Sequence, residues 1–178
     1  MNTLSEYNNF STLGPQMRSY FFIILLSILS LSSFSQNYDS KSSSLANCGL
    51  TETSVWSNFT NQAGLAEINQ ITIGVGTKNR FSLKELSTHT VVFALPVNGG
   101  VFGLNVSYTG FELYNESKIG LAFAKKLSDN FNVGIQVDYL GIYVDEGTNN
   151  HNNFTFEIEA QKRLMQTLTL GAHIFNPI

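Results

Sequence analysis

Lys118-Ile119-Gly120-Leu121-Ala122-Phe123-Ala124, a break at Ser128-Asp129-Asn130, and then Phe131-Asn132-Val133-Gly134-Ile135-Gln136-Val137-Asp138-Tyr139 decide the fold class of this chain. Apolar residues recur at every second position on both sides of the break, which predicts two antiparallel strands joined by a tight turn. One face carries Ile119, Leu121, Phe123, Val133, Ile135, Val137 and Tyr139. The other carries Gly120, Ala122, Ala124, Asn132, Gly134, Gln136 and Asp138. A soluble sandwich shows charge and Thr opposite its apolar face, whereas small residues and amides suit a crowded or water-lined interior. Large apolar residues outside and small or polar ones inside is the pattern of a transmembrane barrel.

Working outward, the same alternation predicts seven strands, over residues 70–77, 88–96, 101–111, 117–126, 131–144, 154–164 and 167–175. Most approach the ~9–11 residues of a tilted membrane strand. Connections at 78–87 and 145–153 are long, 112–116 is intermediate, and 97–100, 127–130 and 165–166 are short. Long loops at one end and tight turns at the other fit an all-β, antiparallel, up-and-down transmembrane barrel. Asn98-Gly99-Gly100 suits one of the hairpins because glycine accepts positive φ. Tyr108, Phe111, Tyr114, Tyr139, Tyr143, Phe154 and Phe156 fall towards the long-loop end, where an aromatic girdle is expected. On the sixth strand Thr155, Glu157, Glu159 and Gln161 alternate with Phe154, Phe156, Ile158 and Ala160, so both carboxylates are expected inside.

Charged residues make up 13% of the chain and the formal net charge is −3. That argues against a nucleic-acid partner, which needs a basic surface. Residues 1–35 read as an export signal: Met17-Arg18, an apolar run from Tyr20 to Leu31, and small residues at Ser33 and Ser35 before Gln36. The run is shorter than the ~20 residues that span a bilayer. Met17 is the expected initiator, with residues 1–16 a spurious start or an extended leader. Residues 36–53 are polar and Ser-rich and read as a mobile N-terminus. The lone Cys48 excludes an internal disulfide or a cysteine zinc cluster and is expected to be an ordinary small residue rather than a lipid anchor. Residues 54–69 lack a period of two and are expected to form short helix or turn.

Trp56, Phe59, Asn61, Ala63, Gly64, Leu65 and Ala66 resemble the N-terminal signature of FadL-like outer-membrane barrels, in particular the Bacteroidetes branch similar to the PorV and PorQ components of type IX secretion. Lys84-Glu85-Leu86, Tyr114-Asn115-Glu116 and residues 118–122 are also similar to that branch. The resemblance implies that residues 54–69 sit inside the barrel as a hatch. It also implies export to the outer membrane of a Gram-negative bacterium, with lipid, secretion-machinery proteins and exported cargo as partners. Gln62 stands where the family usually has Pro, which implies a looser hatch turn. Three functions follow as readings: a membrane component of type IX secretion or surface-protein attachment, a FadL-like channel for hydrophobic or small solutes, and an exported soluble β-sandwich.

No glycine-rich nucleotide loop follows a strand, so no cofactor is expected. His89, His151 and His173 have no ligand-like spacing, so no metal is expected either. Ser107 and His89 are the types a membrane hydrolase uses, but nothing in the sequence orients them together, and no enzyme is expected. Gln136, Asp138, Glu157, Glu159 and His173 are the expected polar groups of the interior, with His173 paired to Glu157 or Glu159. Seven strands leave two unpaired edges, and Asn176-Pro177-Ile178 reads as a mid-barrel turn, so further strands supplied by downstream sequence are expected.

Overall fold

The computed structural model describes residues 49–145 and 151–176; the expected export signal, most of the polar N-terminus, Cys48, Pro177 and Ile178 lie outside them. One antiparallel sheet, curled into a half-barrel, holds the strands in sequence order. They are β1 (Thr72–Asn79), β2 (Ser87–Val97), β3 (Gly100–Phe111), β4 (Tyr114–Ser128), β5 (Phe131–Val144), β6 (His151–Met165) and β7 (Leu168–Phe175). β1 pairs with β2 and β7 with β6, so these two strands are the sheet edges among the described residues. The ladder between 71–75 and 168–172 that would close the sheet is not formed.

Boundaries depart from the sequence reading where turn chemistry, not hydrophobic period, sets the strand end. β1 begins at Thr72 and runs on to Asn79. The intermediate connection expected over 112–116 is instead a tight turn, because Phe111 pairs with Tyr114 and Asn115 with Gly110. Gly110 has φ +119, which lets the β3 end coil into that turn. β6 starts at His151, ahead of its apolar run, with its polar first residues paired to Gly141 and Ile142 of β5.

Residues ahead of the sheet form two 3-10 helices, η1 (Val55–Phe59) and η2 (Gln62–Glu67). Ser54 and Ser57 make a reciprocal capping box at the start of η1. The Asn61 side chain accepts from the Ala63 N–H and caps η2. Both helices lie against the concave face, η1 contacting β1 to β3 and η2 contacting β3 to β6. Beneath them Val55, Leu65, Val92, Ala94, Val101, Ala122 and Ala124 form a small apolar core. Full burial of Leu65 stabilises this docking by about 1.5–3 kcal/mol. Close approach requires glycine at Gly134, where a Cβ would stand 2.5 Å from the Ala63 amide nitrogen.

The strands separate their two faces as the alternation predicts. Leu121 and Ile135 on the convex face are 59% and 58% exposed, while Gln136 on the concave face is 1% exposed. No second sheet covers the convex face among the described residues. That is not the packing an exported sandwich would need.

Candidate functional site

The concave face derives its polar character from single residues contributed by four strands and two helices. Asn105 on β3, Lys118 on β4, Gln136 and Asp138 on β5, and Glu157 and Glu159 on β6 are all buried. Cross-strand register sets Gly120 beside both Asn105 and Asp138, and Gln136 beside Glu157, which brings the polar positions of adjacent strands level.

From these positions a closed ring of polar contacts forms. Asn105 Nδ2 donates to the Asn58 carbonyl at 3.0 Å and to Gln136 Oε1 at 2.9 Å. Gln136 Nε2 donates to Asp138 Oδ1 at 2.8 Å, and Lys118 Nζ lies 3.3 Å from that oxygen. Lys118 Nζ also donates to Glu157 Oε1 at 3.0 Å. The other Glu157 oxygen accepts from Gln62 Nε2 at 3.0 Å, and Gln62 Nε2 reaches the Asn58 carbonyl at 3.1 Å, closing the circuit. Charge-assisted bonds in a water-poor interior are the strong ones, so the ring ties the helical segment to the sheet at fixed points.

Gln62 is central to this attachment. Where a proline would lock φ, the glutamine carries an amide that bonds a β6 carboxylate, so the turn is held by a tertiary contact rather than by ring geometry. Asn61 adds a bond to the Ala160 carbonyl at 3.3 Å and one to Leu50 at 2.9 Å. Gly64 is required because a Cβ there would lie 2.0 Å from the Glu52 carbonyl oxygen. Ala63 and Leu65 are fully buried, and Trp56 and Phe59 pack on the edge of the apolar core. A second tie lies at the β4–β5 turn, where Glu67 accepts from Lys126 at 2.8 Å and from Asn132 at 3.0 Å. Burial raises the Glu67 pKa, but the bonds from Lys126 and Asn132 outweigh it and hold the carboxyl below its ordinary value.

His173 on β7 closes on β6. Its Nε2 lies 3.2 Å from Glu157 Oε2 and 3.7 Å from Glu159 Oε1. Together these three side chains offer a nitrogen and two oxygens within 4.8 Å of one another. The shared inward parity of 157, 159 and 173 already points to a pairing of His173 with Glu157 or Glu159; histidine spacing alone gives no sign that all three side chains meet. Lys118 was missed in the sequence for a related reason: a lysine within an apolar run reads as a surface group until Asp138 and Glu157 are placed around it. Ser107 and His89 are not brought together. Ser107 is buried on the concave face, and His89 is exposed on the other, beside Thr77.

Comparison with known proteins finds no matching family model, no matching curated protein and no matching solved structure.

Proposed function

We propose that this chain is an outer-membrane β-barrel protein that serves as a membrane component of type IX secretion or surface-protein attachment. The observation that carries the membrane reading is the inversion of the sheet: large apolar side chains face outward from a curled antiparallel sheet, and carboxylates, amides and a lysine face inward. In water that arrangement exposes Ile73, Val75, Leu121, Ile135, Val137 and Phe154 at a cost, whereas in hydrocarbon the same surface is favourable. Tyr108, Tyr114 and Tyr143 on the long-loop end, and a ring contact between Tyr139 and Phe154 at 5.5 Å, suit the polar–apolar boundary.

The secretion role rests on the resemblance of Trp56, Phe59, Asn61, Ala63, Gly64 and Leu65 to the PorV and PorQ branch, with the helical segment in the place of the hatch. It is supported by the filled concave face, since a half-barrel tied to its own N-terminal segment by a polar ring leaves little passage for a solute. One feature bears on the FadL-like channel: a cleft of about 340 Å3 between the helical segment and the β2–β3 turn, with Ile68, Pro96, Val97 and Val101 on one side and Lys125 and Lys126 on another. A mixed lining of apolar side chains and two lysines suits an amphiphilic anion.

The membrane reading is tested with Ile135→Cys and Val137→Cys carrying an environment-sensitive fluorophore, in protein reconstituted into lipid vesicles. Blue-shifted emission quenched by nitroxide-bearing lipids is expected at both. Protein that stays in the aqueous phase, without quenching, overturns it. Removing the chain from its own bacterium separates the two roles: loss of surface-attached exported proteins supports the first, and lost solute uptake with intact surface display supports the channel.

A further inference from the structure

We propose that Glu157, Glu159 and His173 form a binding site for one divalent transition-metal ion, with zinc the best match to a mixed imidazole and carboxylate donor set. Neutral imidazole nitrogen and carboxylate oxygen at three protein positions, with the fourth left to solvent or another ligand, is a donor set zinc accepts.

Two independent observations point to a ligand. The first is Glu159, which is 1% exposed, is aimed into the cluster, and accepts no hydrogen bond at either carboxylate oxygen among the described residues. Its Oε1 lies 3.7 Å from His173 Nε2, beyond hydrogen-bond range. A buried carboxylate left in this state is costly, and in proteins such groups are paired or coordinate a metal. The second is the charge of the whole cluster. Asp138, Glu157 and Glu159 stand around the single ammonium of Lys118, with a histidine that must be neutral to act as a ligand. With all three carboxylates ionised, as ion binding requires, the cluster carries two net negative charges, which a divalent cation cancels.

The geometry needs little adjustment. Ligand atoms ~2.0–2.2 Å from a tetrahedral zinc lie ~3.3 Å apart. His173 Nε2 to Glu157 Oε2 is 3.2 Å and His173 Nε2 to Glu159 Oε1 is 3.7 Å, and all three ligand atoms lie within 4.8 Å of one another, so an inward movement of Glu159 brings them to a common ion. Gln62 Nε2 and Lys118 Nζ hold the two Glu157 oxygens in place, as outer-shell donors do around metal ligands. The His173 side chain is 20% exposed and gives the ion a way in from the β7 edge.

The experiment uses the full chain folded in detergent, in a Cys48→Ser background so that a thiol does not compete, with Zn2+ alone as the probe. Calorimetric titration is expected to give one equivalent per chain, and Co2+ in its place a visible absorption band of low-coordinate geometry. Glu159→Gln keeps the side-chain shape and removes an unpaired charge, so this variant folds and is more heat-stable than the parent without metal. Its affinity for Zn2+ is expected to fall at least tenfold, and added Zn2+ raises the melting temperature of the parent but not of the variant. His173→Gln loses the Co2+ band, while His89→Gln and His151→Gln keep it. Absence of stoichiometric Zn2+ uptake by the parent, or uptake unchanged by Glu159→Gln and His173→Gln, overturns the proposal.

Discussion

The convex and concave faces of the same seven strands obey opposite rules. On the convex face Leu121, Ile135 and Val137 pair with their cross-strand neighbours and stand more than half exposed, so each contributes mainly through the solvent it meets. On the concave face Asn105, Lys118, Gln136, Asp138 and Glu157 are buried and contribute only through one another. A residue on the first face is therefore governed mainly by its medium; one on the second is shielded from the medium and bound to its neighbours. The difference separates patterning, which any residue of the right polarity satisfies, from a network in which identity matters.

The largest effect that sharpens this contrast is expected at Glu157. Glu157→Ala removes the acceptor shared by Lys118, Gln62 and His173, and breaking a buried charged pair costs about 3–5 kcal/mol. Denaturant unfolding in detergent measures it, and a loss under about 1 kcal/mol would mean that the ring does not act as a unit. On the other face Ile135→Arg should cost about 2–4 kcal/mol of assembly in bilayers if the position lies near the midplane, and almost nothing in a water-exposed sheet. Equal tolerance in both media would erase the distinction between the faces.

Gly134→Ala probes the close approach of the helical segment. Its methyl would meet the Ala63 nitrogen, and overpacking of that kind costs about 1–3 kcal/mol. Greater protease sensitivity near residues 54–69, with the sheet retained by circular dichroism, is the expected signature; unchanged protection would show that the segment is not packed there.

The smallest effect is expected at Glu67, whose partner Lys126 is well exposed. Glu67→Gln should cost about 0.2–1 kcal/mol and lose its cost at high salt. Because the folded carboxyl titrates below its ordinary value of 4.5, its contribution is present above that value and disappears as the pH falls through the lowered one. Stability measured in both proteins down this range should converge. A difference that persists in full acid would assign the effect to packing.

Much of the architecture was legible because β-structure writes its faces into the chain at a period of two. Alternation over 118–124 and 131–139 determined two strands, their facing and the inward positions of Gln136 and Asp138, alternation over 154–161 did the same for Glu157 and Glu159, and β5 was bounded at both ends. Asn61 and Gly64 were legible only as matches to a family signature; that one caps η2 and the other permits close packing came from the structure. What alternation does not encode is register and curvature. Placement of Gln136 level with Glu157, and of Glu159 level with His173, follows from how turns of particular length set one strand against the next. Curling then folds the helical segment back so that Gln62 meets a carboxylate 95 residues away. Sequence alone determined which residues turn inward; only the tertiary structure decided which of them touch, because a buried charge finds its partner through the register of neighbouring strands and not through spacing along its own.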